Sequence, residues 1–204
     1  MEAIKLCANE YYNGTKVSLD YVKAFKYHKI LADKGDSDSQ CKVGIMFRLA
    51  NGTYRDYVAA FKYYQLSVKQ NNHIAQYELG YCYMYGYGCT KDLKIARELF
   101  ELSAAKNYLP AQRMIGRMYY HGEGTKVDYA KAAMWLEKVF NAFGTKESGY
   151  TQTEEREICM LIANAYHESD PKNKTAYIKY LKEAARRGGS DAKKILMKYL
   201  IFKY

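Results

Sequence analysis

Hydrophobic and polar residues follow a helical period along most of this sequence. In one clear stretch, Ala75, Leu79, Cys82 and Tyr83 share a single helical face at spacings of i, i+4, i+7 and i+8. Gly86 follows this stretch, and glycine commonly ends a helix because it adopts a left-handed backbone without a Cβ penalty. The pattern therefore predicts a helix that ends just before this glycine, which we call helix A.

A second helix, which we call helix B, is predicted shortly after helix A. Asp92 stands where an N-cap is needed, because its carboxylate can accept from first-turn amides and its charge suits the positive end of the helix dipole. The residues from Leu93 to about Lys106 then carry apolar side chains at helical spacing, among them Ile95 and Leu99. One unit of the sequence is thus predicted to be a helix hairpin.

Five columns of like residues recur at a step of 36 residues, which establishes an internal repeat. The columns are Asp20, Asp56, Asp92 and Asp128; Ala24, Ala60, Ala96 and Ala132; Tyr11, Phe47, Tyr83 and Tyr119; Gly44, Gly80 and Gly116; and Gly52, Gly88 and Gly124. One hairpin cannot bury its own apolar face, so neighbouring hairpins must stack. The repeat therefore predicts an all-α array.

The fifth unit is altered. Ala163 and Tyr166 match the columns of Gly116 and Tyr119 at an offset of 47, which indicates an insertion of 11 residues. Asp170-Pro171 is the predicted N-cap and first-residue pair of its helix B, which is expected to run from about Lys174 to Arg187. We expect one repeat domain over residues 1–204, with units at about 1–38, 39–74, 75–110, 111–145 and 153–189, an inserted loop at 143–153 and a capping helix at 190–204.

The pattern A-x-x-x-L-G-x-x-Y-x-x-G-x-G-x-x-x-D-x-x-x-A in residues 75–111 resembles the Sel-1-like repeat, a relative of the tetratricopeptide repeat. Residues 111–132 match nearly as well, with Ile115 in the leucine position. The resemblance covers almost the whole chain. The departures are the single loop glycines Gly14 and Gly52, Ala8 and Ala163 in the glycine column, and the insertion in the fifth unit.

This resemblance implies a right-handed α-α superhelical solenoid of about five helix-hairpin repeats plus a C-terminal capping helix, with helix A residues lining a concave groove. Family members usually act as adaptors in protein complexes, which implies a protein or peptide partner, no enzymatic activity, no cofactor and no small-molecule substrate. Some secreted bacterial members are linked to penicillin binding and carry paired cysteines in each repeat. Cys82 and Cys89 do not recur at the 36-residue step, so that branch fits poorly.

By analogy with tetratricopeptide repeats, the groove positions lie three before, one after, and four and five after the Gly80 column. The selected set is rich in tyrosine, arginine and methionine, which are common in binding hot spots, and it suits a partner with acidic and apolar side chains. The candidates are Arg48, Tyr77, Tyr81, Met84, Tyr85, Arg113, Arg117, Tyr120, His121, Asn164 and His167, with Lys5, Asn9, Tyr12, Ile45 and Met160 in the outer units. The alternative is that half of these tyrosines pack between repeats.

The net charge of +10 is concentrated at the C-terminal end. Residues 171–204 hold ten Lys and Arg and two acidic residues, a net of +8 that leaves +2 for the first 170 residues. The candidate anion-binding residues there are Lys179, Lys182, Arg186, Arg187, Lys193, Lys194 and Lys198. They support an alternative function, the binding of nucleic acid or an anionic membrane. A solvated outer helix face is the competing explanation.

Motifs for catalysis and metal binding are weak in this sequence. Ser103-Ala-Ala-Lys106 spells the S-x-x-K of penicillin-recognising enzymes, but neither S-D-N nor K-T-G accompanies it. The four histidines lack metal-ligand spacing. Five cysteines without a CxxC pair, no secretory signal and no long apolar run favour a cytoplasmic setting, or the host cytosol for an exported effector.

Overall fold

The predicted hairpins are present as pairs of helices. The computed structural model describes residues 2–145 and 149–201, which form eleven α-helices and no strand. The chain divides into unit 1, residues 1–108, and unit 2, residues 109–204. Unit 1 contains α1 (Glu2–Asn13), α2 (Tyr21–Asp33), α3 (Ser37–Leu49), α4 (Tyr57–Val68), α5 (His73–Tyr85) and α6 (Leu93–Ala104). Unit 2 contains α7 (Leu109–His121), α8 (Tyr129–Phe140), α9 (Gln152–Ser169), α10 (Lys174–Arg186) and α11 (Ser190–Ile201).

The aspartate column begins helix B in each of the first four repeats. The Asp56 carboxylate accepts from the backbone N–H of Ala59 at 2.9 Å, and Asp128 accepts from Lys131 at 2.9 Å. The backbone N–H of Asp56 also donates to the Phe47 carbonyl at 3.1 Å, so the aspartate column is tied to the aromatic column of helix A. Two of the five sequence columns therefore fix the turn between the paired helices.

The glycine column of helix A lets helix B approach closely. A Cβ on Gly44 would lie 2.5 Å from the Tyr64 ring, and a Cβ on Gly80 would lie 2.9 Å from the Phe100 ring. Both rings are fully buried, as is Ala60 in the alanine column. The absent side chain of glycine is thus the space that a large ring of helix B fills.

The core of unit 1 runs through successive hairpins rather than lying within any one of them. Its buried cluster takes side chains from five helices, α2 to α6. The members are Ala32, Val43, Phe47, Ala60, Tyr64, Leu79, Cys82 and Leu99. Since the cluster joins residues of three repeats, each hairpin depends on its neighbour for burial.

Unit 2 has its own core, in which α8, α9 and α10 supply most of the buried side chains. The largest of these are Leu136, Ile158, Ile162, Tyr180 and Leu181. The terminal helix α11 adds fully buried Ala192 and places Ile195 and Leu196 against the cluster. This helix matches the predicted capping helix as far as residue 201, and residues 202–204 lie outside the described part.

The insertion in the fifth repeat is partly helical. Helix α9 has 18 residues, five more than the 13 of α5 or α7, and four of the five added residues lie at its N-terminal end. Thr151 caps α9 in a capping box with Glu154, in which each side chain bonds to the backbone of the other. The predicted loop at 143–153 thus includes the start of α9, and its residues 146–148 lie outside the described part of the chain.

The N-cap predicted for the last helix B is wrong. Asn173 caps α10, since its side chain accepts from the backbone N–H of Ala176 at 3.3 Å. Asp170 instead ends α9, where its own N–H donates to the Tyr166 carbonyl at 3.0 Å. Three residues separate Asp170 from Lys174, the first residue of α10, so Asp170 is too early to cap that helix.

Candidate functional site

The predicted groove residues that reach the surface form straight rows along the helices A. Residues four apart share a helical face, and the positions three before, one after and five after the glycine column are spaced in this way. The rows are Tyr77, Tyr81 and Tyr85 in α5, Arg113, Arg117 and His121 in α7, and Met160 and Asn164 in α9. The predicted residues of each row therefore share one face of their helix.

In α5 the position four after the glycine column turns inward, which corrects one prediction. Met84 is 5% exposed and is a core residue rather than a groove residue. The reason is helical geometry, because Met84 lies one turn after Gly80 on the face that packs against Phe100. Arg48 occupies the same position in α3 and is also partly buried.

Arg48 forms an ion pair with a carboxylate on the neighbouring helix A. Its Nε lies 3.1 Å from Oε2 of Glu78, and its Nη2 donates to Oε1 of Glu78 at 3.4 Å. Burial raises the pKa of Glu78, while the charge of Arg48 opposes this rise. The pair joins α3 to α5 inside unit 1, so Arg48 acts in packing between repeats.

A ladder of tyrosines runs along one face of α5. The ring centroids of Tyr77 and Tyr81 are 5.2 Å apart, and those of Tyr81 and Tyr85 are also 5.2 Å apart. The ladder continues through Tyr87, which stacks on Tyr57 at 4.7 Å. Burial raises the pKa of Tyr77, whereas Tyr85 is 51% exposed. These rings support one another, and their outer end is open to solvent.

In unit 2, five of the predicted residues meet in one cleft between α7 and α9. Arg113, Arg117 and His121 line one side, and Asn164 lies on the other side. The cleft has a volume of about 340 Å³, and Met160, Leu161 and Ile158 give it an apolar part. We call it the arginine cleft.

Arg113 is held in place by the residues of the insertion. Its Nη1 donates to Oε1 of Glu154 at 3.2 Å, and its guanidinium lies 5.3 Å from the centre of the Tyr150 ring. Glu154 also accepts from Thr151, and these bonds hold the pKa of the Glu154 carboxyl below its usual value. The insertion therefore fixes Arg113 at the edge of the arginine cleft.

The sequence analysis missed Arg156, which lines the same cleft. It lies one turn before Met160 and two turns before Asn164, so the four-residue spacing that these two residues share points to it. It was missed because the positions taken from the tetratricopeptide repeat begin three before the glycine column, whereas Arg156 lies seven before Ala163 in that column. Neither Arg117 nor Arg156 forms an ion pair with a carboxylate of the described residues, which leaves two cations free to bind a ligand.

Two predicted residues lie away from the arginine cleft. Tyr120 is half-buried, with its ring 5.3 Å from that of Tyr129 in an edge-on contact. His167 is exposed and stacks on Tyr177 at 4.9 Å. The structure thus separates these two from the cleft residues.

The basic C-terminal residues are exposed, with the exception of Arg187. Lys179, Lys182 and Arg186 are exposed on α10, and Lys193, Lys194 and Lys198 are exposed on α11. Arg187 differs, because its guanidinium lies 2.9 Å from Glu155 and 2.6 Å from Glu183. It also lies over the Phe143 ring at 5.3 Å, so Arg187 is a structural cation and is withdrawn from the anion-binding set.

Ser103 has a structural role in its hairpin. It is fully buried, and its hydroxyl donates to the His73 carbonyl at 2.7 Å. Ser67, one repeat earlier, donates to the Ser37 carbonyl at 2.8 Å in the same way. Over residues 2–145 and 149–201, no helix combines the length and apolar character needed to span a membrane, and no three His, Cys, Asp or Glu residues are grouped as for a metal ion.

Solved structures of known proteins that are similar to this chain include the following three. A Sel1 repeat protein from Oxalobacter formigenes is 24% identical with a TM-score of 0.73, over 96% of this chain and 74% of that one. A protective antigen of uropathogenic Escherichia coli with an SLR fold is 22% identical with a TM-score of 0.67, over 94% of this chain. MamA protein is 18% identical with a TM-score of 0.56, over 95% of this chain and 96% of that one. These identities show the fold alone.

The chain spans 47% of the length of the Escherichia coli antigen. A comparison with curated proteins finds no match. The Sel1 repeat matches the sequence four times, at residues 3–36, 37–72, 73–108 and 109–138. Sel1 repeats commonly form non-enzymatic scaffolds for protein interaction, and the all-α repeat fold expected from the sequence is confirmed. With four consecutive repeats covering about two thirds of its length, the chain belongs to the Sel1 repeat family.

Proposed function

We propose that this protein is an adaptor that binds a peptide segment of a partner protein in the arginine cleft. The segment carries acidic side chains that pair with Arg117 and Arg156, and apolar side chains that pack on Met160 and Leu161. The proposal places the main recognition site in unit 2 and assigns no catalytic role to the chain.

The observation that supports this proposal is the pair of arginines without carboxylate partners beside an apolar surface. Arg117 is exposed and Arg156 is half-buried, and both line the cleft together with Met160. A guanidinium is weakly hydrated and presents a planar fork of donors, so it binds carboxylates well at a partly desolvated site. The apolar part of the cleft adds affinity through burial of aliphatic side chains.

The fixed arrangement of the cleft favours binding further. Glu154 and Tyr150 hold Arg113 before any ligand arrives, which lowers the entropy lost on binding. Arg113 keeps N–H donors beyond the one used for Glu154, so it can add a hydrogen bond to the ligand. Family membership supports the same class of function, since Sel1 repeats commonly mediate protein interaction.

The test is a binding titration with a designed peptide. A short fluorescein-labelled peptide of glutamates and leucines is titrated with the protein, and its affinity is measured by fluorescence anisotropy. We expect the combined substitutions Arg117→Ala and Arg156→Ala to weaken binding by at least about tenfold, because each removes a charge-assisted hydrogen bond.

The control carries the same change in net charge elsewhere in unit 2. Lys182→Ala with Lys193→Ala removes two exposed cations from α10 and α11 and is expected to leave the affinity within about twofold at physiological salt. A peptide with glutamine in place of glutamate should bind the wild type weakly. Equal binding of the two peptides, or equal losses in the two double variants, would overturn the proposal.

A further inference from the structure

Unit 1 contains a second cavity, which the proposed function does not use. It has a volume of about 390 Å³ and is lined by residues of α1, α3 and the start of α5. Ile45 and Ile74 give it an apolar wall, and Asn9 and Lys42 bring polar groups to it. We call it the lysine pocket.

The acidic residues near the lysine pocket already have hydrogen-bonding partners. Lys5 Nζ lies 2.9 Å from Oδ2 of Asp36 and 2.8 Å from Oδ2 of Asp38. The other oxygen of Asp38 accepts from the Asn72 side-chain amide at 3.1 Å. One lysine and one amide therefore satisfy both carboxylates, and neither carboxylate pairs with Lys42.

Lys42 is a cation without a close ion pair, and the negative charge of Asp38 offsets only part of the effect of burial on its pKa. Its Nζ lies 4.0 Å from the centre of the Tyr12 ring, and it forms no ion pair with the carboxylates of the described residues. Lys42 is half-buried, and burial lowers the pKa of its ammonium group. His28 at the pocket wall is 1% exposed, and burial lowers its pKa to about 4, so Lys42 alone carries the free positive charge at neutral pH.

A partly desolvated ammonium without a counter-charge is costly, and a bound anion lowers that cost. The ring of Tyr12 compensates it only in part, since cation–π contacts are weaker than a close ion pair. The side-chain amide of Asn9 also has no hydrogen-bond partner within the described residues. Two donors, one of them charged, thus line one pocket beside an aliphatic wall.

We propose that the lysine pocket binds a carboxylate group attached to a small aliphatic chain. The carboxylate accepts from Lys42 and from the Asn9 amide, and the aliphatic chain packs on Ile45 and Ile74. In a partner protein, a C-terminal carboxylate beside an aliphatic residue supplies this chemistry, and so does an acidic side chain. The site lies entirely in unit 1 and goes beyond the arginine cleft.

The probes are small molecules that separate these sources. N-acetyl-leucine carries a terminal carboxylate, N-acetyl-leucinamide lacks it, and the α-amide of N-acetyl-glutamic acid carries only a side-chain carboxylate. Binding is followed by two-dimensional NMR of the full chain labelled with nitrogen-15. We expect N-acetyl-leucine to shift the amide signals of α1 and α3 and to bind at least about tenfold more tightly than its amide.

The matched variants are Lys42→Gln and Lys62→Gln, since Lys62 is an exposed lysine of α4 away from the pocket. Lys42→Gln should weaken the affinity for N-acetyl-leucine at least about tenfold, and Lys62→Gln should leave this affinity unchanged.

A dominant response to the glutamic acid derivative assigns the site to acidic side chains and also supports the proposal. Equal binding of acid and amide, or unchanged binding to a folded Lys42→Gln variant, overturns it. Arg117→Ala should leave the affinity for N-acetyl-leucine unchanged. The lysine pocket can therefore be tested independently of the function proposed for the arginine cleft.

Discussion

Replacing Gly88 by alanine is expected to destabilise unit 1 by about 3 kcal/mol or more. Gly88 has φ of +73°, and a Cβ there would lie 2.2 Å from the carbonyl oxygen of Tyr57, the first residue of helix B in the preceding repeat. The clashing atom belongs to the backbone, so a side-chain rotation cannot relieve the contact. The measurement is the free energy of unfolding from urea denaturation, followed by circular dichroism.

Gly86 in the same loop provides a matched control. Its φ is +76°, almost equal to that of Gly88, but the nearest atom to an added Cβ is the Cys89 carbonyl oxygen at 3.5 Å. Gly86→Ala should therefore cost only the strain of the left-handed backbone, about 1 kcal/mol. Similar losses at both positions would show that the contact between repeats does not explain the glycine column.

Replacing Arg48 by methionine is expected to cost about 3 kcal/mol at neutral pH. The substitution keeps much of the side-chain volume but leaves the Glu78 carboxylate, which is 8% exposed, without its cation. A double-mutant cycle with Glu78→Gln isolates the pair. Arg48→Met should cost much less in the Glu78→Gln background, and equal costs in both backgrounds would show that the pair does not stabilise unit 1.

The cost of Arg48→Met should also depend on pH. Burial already raises the pKa of Glu78 above 4.5, and loss of Arg48 removes the main opposing interaction, so this pKa rises further. An acid with a raised pKa in the folded state contributes stability that is present below its unfolded pKa and is lost as pH rises through its folded pKa. The variant should therefore be least stable relative to wild type at neutral pH, and the difference should narrow as pH falls toward 4.5. A constant difference across this range would contradict the assignment.

The repeat columns allowed most of the fold to be predicted from sequence, because each column has a local physical cause. Asp56 caps a helix and bonds to the backbone of Phe47, and Gly80 makes room for the Phe100 ring. These contacts join residues about 20 or fewer positions apart, as Gly80 and Phe100 are. They therefore recur in each repeat, and the same residue types appear at a fixed step in the sequence. The end of α5 before Gly86 and the terminal helix α11 followed from the same local signals, whereas the N-cap of α10 did not.

The arginine cleft could be predicted only in part. The analogy with tetratricopeptide repeats selected Arg113, Arg117 and Asn164, but the partner of Arg113 is Glu154, whose position depends on how the insertion folds. The insertion interrupts the repeat, so the columns say nothing about it. Arg156 was missed because it lies seven residues before Ala163, outside the positions that the analogy supplies.

The error at Met84 has a different origin. The groove positions came from an analogy with tetratricopeptide repeats, and the analogy does not state which positions face the core. The fourth residue after Gly80 lies on the buried side of the helix, and Arg48 at the same position is half-buried against Glu78. A column that holds both a methionine and an arginine gives no sequence signal of burial, since long side chains of both kinds can lie along a core.

NMR mapping of the glutamate and leucine peptide tests the central claim most directly, because it locates the binding surface without substitutions. The peptide is added to the chain labelled with nitrogen-15, and perturbed backbone amides are assigned to helices. We predict that the perturbed amides lie on α7 and α9, around Arg117, Arg156 and Met160, and that salt weakens the effect only moderately. Perturbations confined to the exposed lysines of α10 and α11, with a steep loss as salt rises, would contradict the account and favour an anion-binding function of the C-terminal end.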